Sequence, residues 1–215
     1  MNATRLCCVR HGETAWNAER RIQGQLDEPL SAVGHAQARA VANGLSRESI
    51  SKEPIAAIYA SDLSRALHTA EAAAHLLKLP IRRCAALRER HYGVFQGLTY
   101  AEMRERYPQA YTRFLAREAD FAMPGGGESL RRFAARVTQG VDDIVAAHPG
   151  GQVLLFTHGG VLDILHRRAS GKPLSAPRDF EIPNACLNWF EVAGGEWSIL
   201  SWAERGHLVE ALDEL

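Results

Sequence analysis

Short apolar runs alternate along this chain with longer stretches of helical periodicity. The apolar runs predict strands at 5–9, 54–60, 81–85 and 152–156. Apolar residues that recur at helical spacing predict helices over 31–46, 62–77, 128–147 and 161–168. Near the C-terminus, two alternating segments separated by Gly194-Gly195 predict an antiparallel hairpin over 186–192 and 196–202. This order favours a mostly parallel sheet that is covered by helices on both faces.

The segment from Tyr100 to Met123 departs from this pattern. It has helical periodicity but is charged, and it contains Arg104, Arg106, Arg113 and Arg117. We interpret it as part of a small helical cap, inserted at about 97–127 over one edge of the sheet. A chain of 215 residues otherwise suits a single domain, which we predict to span 1–215.

Composition excludes several classes of protein. Lys+Arg and Asp+Glu number 25 each, so the chain lacks the excess of basic residues that is typical of nucleic-acid-binding proteins. The apolar fraction of 46% is too high for a disordered chain, yet no apolar run is long enough to span a membrane. No secretory signal or C-x-x-C pair is evident, so we expect a cytoplasmic protein with reduced, mostly buried thiols. Cys7 and Cys8 are adjacent, and we expect them on opposite faces of a strand.

Polar side chains follow three of the predicted strands at the point where each strand ends. Arg10-His11 follows the first strand, Ser61-Asp62 the second, and Thr157-His158 the strand at 152–156. In open sheets of this kind, ligands bind at the carboxyl ends of the strands. We therefore expect these three pairs to meet at one edge of the sheet.

His11 is the candidate nucleophile. A neutral imidazole can attack phosphorus when one ring nitrogen is unprotonated and the other donates a hydrogen bond that fixes the tautomer. Arg10 can bind phosphoryl oxygens through its planar guanidinium, and Gly12 permits a close approach of the backbone to an anion. The alternative is that Arg10 and His11 are ordinary polar residues at the end of a strand.

Arg65 and His158 are the candidates for stabilising an anion beside His11. Arg65 lies near the start of a predicted helix, where the helix N-terminus also favours phosphate. His158 ends a buried strand before Gly159-Gly160, and it can donate to a phosphoryl oxygen. The alternatives are an exposed helix arginine and a satisfied core histidine.

Glu89 is the candidate general acid and base, because a carboxyl group there can protonate a leaving oxygen and later deprotonate water. The alternative is a surface glutamate between Arg88 and Arg90. In the polar loop after the first motif, three residues are candidate neutral donors to the anion or plain turn residues: Asn17, Gln23 and Gly24.

No metal or cofactor site is predicted. The chain has nine histidines, but they form no His-x-x-x-His motif, and no carboxylates cluster at ligand spacing. The phosphate-binding sequence G-x-x-x-x-G-K-[ST] is also absent. We therefore expect chemistry that uses no metal and no cofactor.

Taken together, these motifs resemble the histidine phosphatase superfamily, which also contains the cofactor-dependent phosphoglycerate mutases. The resemblance covers nearly the whole chain and rests on R-H-G-E-T at 10–14, Trp16-Asn17, Gln23-Gly24, D-E-P-L-S at 27–31, S-D-L-S-R-A at 61–66, Glu89 and T-H-G-G at 157–160. It implies a three-layer α/β/α sandwich in which His11 becomes phosphohistidine. It also implies that Glu89 donates the proton and that the phosphate pocket is completed by Arg10, Arg65 and His158.

The resemblance leaves phosphatase and mutase open, and we favour the phosphatase. The run 89–93 and Gln96-Gly97 resemble the mutases. Leu98-Thr99-Tyr100 stands where mutases carry a lysine, the cap is short, and Gly159-Gly160 replaces Gly-Asn. From the run 89–93 and the T-H-G-G motif we add three substrate-binding candidates: Arg90, Tyr92 and Gly159.

The expected activity is therefore a phosphomonoesterase that acts on small phosphorylated metabolites. The second hypothesis is a phosphoglycerate mutase dependent on 2,3-bisphosphoglycerate, and a third is a non-catalytic module that binds phosphorylated ligands. The cap arginines suggest an anionic group in the substrate beyond the phosphate. The sequence leaves a homodimer open.

Overall fold

In the computed structural model, residues 3–48 and 54–208 are described, so parts of the predicted 1–215 domain lie outside the described residues. Six strands form one sheet in the order β3-β2-β4-β1-β5-β6. They are β1 Thr4–Arg10, β2 Ile55–Ala60, β3 Ile81–Arg83, β4 Gln152–Thr157, β5 Leu187–Ala193 and β6 Glu196–Glu204. The first four strands are parallel, whereas β5 is antiparallel to both β1 and β6. The predicted mostly parallel sheet with a C-terminal hairpin is confirmed.

Helices cover both faces of the sheet, which gives the predicted three layers. The helices are α1 Ala15–Ala18, α2 Ala32–Glu48, α3 Ser64–Leu77, α4 Tyr100–Arg106, α5 Pro108–Leu115, α6 Leu130–Ala147 and α7 Gly159–Ser170. Helices α2 and α3 contribute to the hydrophobic core on one face, and α6 and α7 contribute to the core on the other. The α/β/α sandwich is therefore confirmed.

The strand β1 shows how the two cores are built from one apolar run. Leu6 and Cys8 belong to the core beneath α6 and α7, whereas Cys7 and Val9 belong to the core beneath α2 and α3. This follows from the alternation of side chains along a strand, and it confirms that the adjacent cysteines point to opposite faces. Both are unoxidised thiols, and burial raises the pKa of Cys8.

The helical part of the cap is shorter than the sequence predicts. Thr99 begins α4 with a capping box to Glu102, and α5 ends at Leu115, so the prediction of helix through residue 123 is wrong. The chain ends the helix because Arg117 adopts a left-handed backbone, with φ of +51°. A small separate core fixes the cap to the chain around it, formed by Phe95, Met103 and Met123.

Helix starts follow their capping side chains. Ser31, the first residue of the predicted helix 31–46, caps α2, because its Oγ accepts from the backbone N–H of Gly34 at 3.1 Å. Ser129 caps α6 one residue after the predicted start. Among the described residues, no helix is both long enough and apolar enough to cross a membrane.

Candidate active site

The carboxyl ends of β1, β2 and β4 meet at one cavity of about 560 Å³. His158 is fully buried next to it, with its ring centroid 5.2 Å from that of His11. The structure therefore brings the predicted residues together. Ten of them line the cavity: Arg10, His11, Asn17, Gln23, Gly24, Arg65, Glu89, Arg90, Tyr92 and Gly159.

The surroundings of His11 determine its tautomer and its charge. Its Nδ1 lies 2.7 Å from the carbonyl oxygen of Gly12, which can only accept, so Nδ1 carries the hydrogen. Burial lowers the pKa of His11 well below its ordinary value, and the positive charges of Arg65 and Arg10 lower it further. The ring is therefore neutral at neutral pH, and Nε2 keeps an unprotonated lone pair.

The backbone after His11 is held by a residue that the sequence did not indicate. The N–H of Gly12 donates to Thr69 Oγ1 at 2.9 Å, and that hydroxyl donates to the carbonyl of Arg65 at 2.7 Å. A Cβ on Gly12 would lie 2.5 Å from the carbonyl oxygen of Gly34. Close packing against α2 is therefore a reason for glycine here, besides the predicted approach to an anion.

Ser61 contacts the ring of His158 and can hold it in one tautomer. Its Oγ lies 2.8 Å from His158 Nε2 and accepts from the backbone N–H of Leu63 at 3.3 Å. The hydroxyl can therefore donate to Nε2, and in that tautomer Nδ1 carries the ring hydrogen. Burial lowers the pKa of His158 well below its ordinary value, and nearby positive charges lower it further, which keeps the ring neutral.

Arg65 and Arg10 are fixed by backbone carbonyl groups. Arg65 is 1% exposed, and its Nη1 and Nη2 donate to Leu26 at 2.8 Å and Gly24 at 2.7 Å. Arg10 Nη1 donates to the carbonyl of Ile182. Burial lowers the pKa of Arg65 to about 10, so it remains a cation at neutral pH. Gly24 thus contributes a carbonyl that positions Arg65.

Three buried donors beside His11 have no acceptor within the described part of the chain: Arg10 Nε, Arg65 Nε and His158 Nδ1. A buried donor without a partner costs about 1–3 kcal/mol. Arg10 and Arg65 line the cavity, and the ring of His158 lies next to that of His11, so oxyanions bound beside His11 can supply the missing acceptors. The arrangement is suited to a tetrahedral phosphoryl group, whose oxygens need such donors while Nε2 of His11 faces the phosphorus.

Glu89 is held at the start of α7 and is not a surface residue paired with its neighbours. Its Oε1 accepts from the backbone N–H of Arg90 at 2.7 Å, and its Oε2 accepts from that of Gly160 at 2.9 Å. A Cβ on Gly160 would lie 2.0 Å from Oε1, so this glycine leaves room for the carboxylate. Arg88 pairs with Asp62 instead.

The side chains of the neutral candidates Asn17 and Gln23 form hydrogen bonds mainly within the loop that follows β1. Asn17 Oδ1 accepts from the backbone N–H of Thr14 at 3.1 Å, as part of the capping box of α1. Gln23 Nε2 donates to Thr14 Oγ1 at 2.8 Å. Both line the cavity, but these amide groups hold the loop in place as well as facing the substrate space.

Arg90 and Tyr92 form one wall of the cavity. Arg90 Nε and Nη2 donate to the carbonyl of Glu128 at 3.0 and 2.8 Å, so this guanidinium anchors the end of the cap. The Cζ atom of Arg90 lies 5.6 Å from the centroid of the Tyr92 ring, and that ring packs edge-on against Phe114. Burial raises the pKa of Tyr92 well above its ordinary value, so the phenol stays protonated.

Most of the cap arginines do not face the cavity, contrary to the suggestion from the sequence. Arg106 pairs with Glu102, and Arg113 pairs with Glu118 at 2.7 Å. Arg117 does line the cavity, but it pairs with Asp163 at 2.6 Å. Three other arginines line the cavity and were missed because they lie in loops without a motif: Arg20, Arg21 and Arg178.

Among residues 3–48 and 54–208, no group of three or more His, Cys, Asp or Glu side chains is placed to hold a metal ion. The two imidazoles at the cavity each have one ring nitrogen engaged within the protein, Nδ1 of His11 and Nε2 of His158. The remaining nitrogens carry a lone pair and a hydrogen respectively, which suits a nucleophile and a donor.

Comparisons with known proteins agree with this geometry. A family model described as the histidine phosphatase superfamily (branch 1) matches residues 6–205. An Arabidopsis thaliana protein named phosphoglycerate mutase-like protein 4 is 43% identical, over 94% of this chain and 86% of its own length. Another from the same plant, named metal-independent phosphoserine phosphatase, is 39% identical, over 95% of this chain and 83% of its own.

A solved structure shows the same fold. A mycobacterial glucosyl-3-phosphoglycerate phosphatase superposes with a TM-score of 0.82 at 34% identity, and the match covers 95% of this chain and 100% of that one. The likeness therefore extends over nearly the whole of both chains.

Proposed function

Because this chain belongs to the histidine phosphatase superfamily, we propose that it is a phosphomonoesterase that works through a phosphohistidine at His11 and needs no metal. One observation carries the proposal. The unprotonated Nε2 of His11 lies at the closed end of the cavity, beside three buried donors that have no acceptor among the residues the structure describes. The proposal takes the chain as one domain with a cap at about 97–127.

In the first step, Nε2 of His11 attacks the phosphorus and a nitrogen–phosphorus bond forms. The bond from phosphorus to the ester oxygen breaks, and the protonated Glu89 carboxyl group gives its proton to that oxygen. Arg10, Arg65 and His158 donate to the three equatorial oxygens, where negative charge is greatest in the transition state. The products of this step are the alcohol and phosphohistidine.

In the second step, Glu89 takes a proton from water, and the water oxygen attacks phosphorus. The nitrogen–phosphorus bond breaks, inorganic phosphate leaves, and His11 returns to its starting tautomer. Gly160 matters in both steps because its N–H donates to Oε2 of Glu89 and holds that side chain at the cavity. The wall that receives the rest of a small phosphorylated metabolite is formed by Asn17, Gln23, Gly24, Arg90, Tyr92 and Gly159.

The intermediate provides the test. Rapid quenching of the enzyme with a ³²P-labelled monoester should trap protein-bound label that is lost in acid and retained in base. His11→Asn should lose both the label and turnover, while Arg104→Gln, an exposed change on α4, should keep both. Turnover without any trapped label, under conditions where the first step outpaces the second, would exclude the covalent route.

A phosphoglycerate mutase is the second candidate, supported by the name of the 43% identical relative. A mutase must keep water from its phosphohistidine, whereas this cavity has an exposed rim that includes Tyr100 at 44% and Leu115 at 55% exposure. We therefore favour hydrolysis. The assay is 3-phosphoglycerate with a trace of 2,3-bisphosphoglycerate: interconversion to 2-phosphoglycerate that outpaces phosphate release would make the mutase the correct assignment.

A module that only binds phosphorylated ligands is the third candidate. It would use the same donors as the enzyme but would release no phosphate. Vanadate binding together with an absence of turnover across a broad panel of phosphomonoesters would favour it. The presence of Glu89 at the cavity argues for catalysis, because a binding module needs no proton donor.

A further inference from the structure

The two ends of the cavity differ in burial. His11, at 4% exposure, and Arg65, at 1%, mark the closed end, where the phosphoryl group binds under the proposed function. Arg20, Tyr100 and Arg178 line the same cavity but are exposed, so they mark its open end. A ligand that fills the cavity must therefore contact both sets.

The arginines of the open end differ from the others in their partners. Five cavity arginines donate side-chain hydrogen bonds to protein acceptors: Arg10, Arg21, Arg65, Arg90 and Arg117. By contrast, no acceptor within the described residues contacts the guanidinium of Arg20 or Arg178. Their positive charges have no partner there, although the mouth is lined with protein.

Acidic side chains do not neutralise this end. Of the two carboxylates that line the cavity, Glu89 is bound by two backbone N–H groups, and Asp163 is paired with Arg117 and Arg167. The charge that remains at the mouth is therefore positive. Such a mouth attracts an anion and orients it before binding.

Arg178 projects from a loop that is anchored at several points. On either side of it, Lys172 pairs with Asp179, and Trp202 Nε1 donates to the carbonyl of Glu181 at 2.9 Å. The ring of Phe180 stacks on His166 with centroids 3.7 Å apart. These contacts place the backbone of Arg178 at the mouth, so binding an anion there costs little ordering of the chain.

Arg178 also acts on groups on two sides of the cavity. Tyr100 is exposed on one side only, so its partial burial still raises the pKa of the phenol, and the positive charge of Arg178 partly opposes that rise. Burial lowers the pKa of Arg10, and Arg178 lowers it further. The guanidinium therefore lies within electrostatic range of both the cap and the phosphate end.

We propose that Arg178, assisted by Arg20, binds a second anionic group of the substrate at the mouth, and that Arg178 thereby determines specificity. The substrate class is a phosphomonoester that carries a carboxylate or a second phosphate away from the scissile bond. This inference rests on the proposed function, which supplies the position of the transferred phosphate. The volume of about 560 Å³ accommodates a ligand that reaches from one end to the other.

The test uses pairs of esters that differ in one charged group. The short pair is 3-phosphoglycerate and glycerol 3-phosphate, and the long pair is 4-carboxyphenyl phosphate and phenyl phosphate. A further compound, 4-phosphonophenyl phosphate, separates a phosphate-like anion from a carboxylate. The wild-type chain should prefer the charged member of at least one pair by about tenfold in kcat/KM, and salt should reduce this preference.

Arg178→Gln should remove the preference by raising KM for the charged ester by about tenfold more than KM for its uncharged partner. Arg178→Lys should restore part of it, Arg20→Gln should reduce it, and the exposed control Arg104→Gln should leave it intact. An equal loss on both members of a pair would make Arg178 a structural residue. An unchanged preference in Arg178→Gln would show that the anion binds elsewhere, and either result overturns the proposal.

The two proposals fail in different ways. If the wild-type chain hydrolyses neither phenyl phosphate nor any other ester, the proposed function fails. The subsite is then measured by calorimetry, as the affinity of 4-carboxyphenyl phosphate relative to phenyl phosphate. Tighter binding of the carboxylate that disappears in Arg178→Gln supports the subsite, and equal affinities contradict it.

Discussion

The imidazole rings of His11 and His158 lie with their centroids 5.2 Å apart and their planes inclined by 56°. They come from the ends of adjacent parallel strands, β1 and β4, which pair Arg10 with Thr157 immediately before them. Each ring has one nitrogen fixed by the protein, so one offers a lone pair and the other an N–H. The sheet therefore places the candidate nucleophile beside the candidate donor.

Removal of the Arg10 side chain should be about as damaging as removal of the nucleophile. Its Nε is one of the buried donors that the transferred oxygens need, and an arginine in such a position contributes about 10³–10⁵ to the rate of phosphoryl transfer. We expect Arg10→Ala to lose about that factor in kcat, measured with phenyl phosphate. Arg104→Ala is the control, and near-normal turnover in Arg10→Ala would exclude Arg10 from the mechanism.

Ser61→Ala should allow His158 to change tautomer. Without the hydroxyl donor at Nε2, the hydrogen of the ring is no longer held at Nδ1, and one donor to the phosphoryl group is lost for part of the time. We expect a loss of kcat of up to the roughly 10²–10³-fold effect of removing one such donor. ¹⁵N spectra of the ring should show the tautomer shift directly.

Ser64→Ala is the matched control for that experiment, because Ser64 lies in the same segment and contacts Asp27 only through its backbone N–H. It should keep both the activity and the ring spectrum of the wild-type chain. If Ser61→Ala also keeps the Nδ1-protonated tautomer, then the hydroxyl does not determine it.

Asp163→Ala should destabilise the fold, because the Asp163 carboxylate is buried between Arg117 of the cap and Arg167 of α7. Removal of one partner from a buried ion pair costs about 3–5 kcal/mol, since the remaining charges are left without compensation. Urea unfolding should show this loss. Asp120→Ala breaks an exposed pair with Arg131 and should leave the midpoint unchanged; equal effects would contradict the buried role.

Stability should decrease as the pH falls below about 6.5. Burial lowers the pKa of both His11 and His158 in the folded chain, from an ordinary value of 6.5. The unfolded chain therefore binds protons that the folded chain does not, and the free energy of unfolding falls between pH 6.5 and the lowered folded pKa values. Thermal unfolding from pH 8 to pH 5 measures this slope.

His158→Gln provides the comparison for the pH experiment, because glutamine is neutral over the same range. The variant should show a shallower fall of Tm between pH 6.5 and pH 5 than the wild-type chain. Glu19→Gln, an exposed change on the surface, should retain the full slope. A wild-type slope in His158→Gln would mean that this imidazole is not the group that is protonated on unfolding.

Chelators should leave activity intact, because no metal takes part in the proposed steps. The measurement is kcat with phenyl phosphate before and after dialysis against EDTA, with no metal added back. A reversible loss, restored by a divalent cation, would reveal a site that the proposed mechanism does not contain.

Much of this architecture follows from the sequence by itself. The buried apolar runs and the helical periodicity are local patterns, and they gave the strand and helix positions, with the cap as the main error. The positions of Arg10, His11, Arg65 and His158 at strand ends or just after them predicted their convergence, because the carboxyl ends of parallel strands share one edge.

Tertiary structure alone decided the contacts that link distant parts of the chain. Ser61 meets His158 across 97 positions, and Thr69 meets Gly12 across 57. The net charge at the mouth of the cavity could not be predicted from the sequence either. It depends on whether an arginine such as Arg178 has an acceptor nearby, and the sequence does not show this. Periodicity reports which face of an element is buried, but partners across the fold depend on topology, which no local pattern encodes.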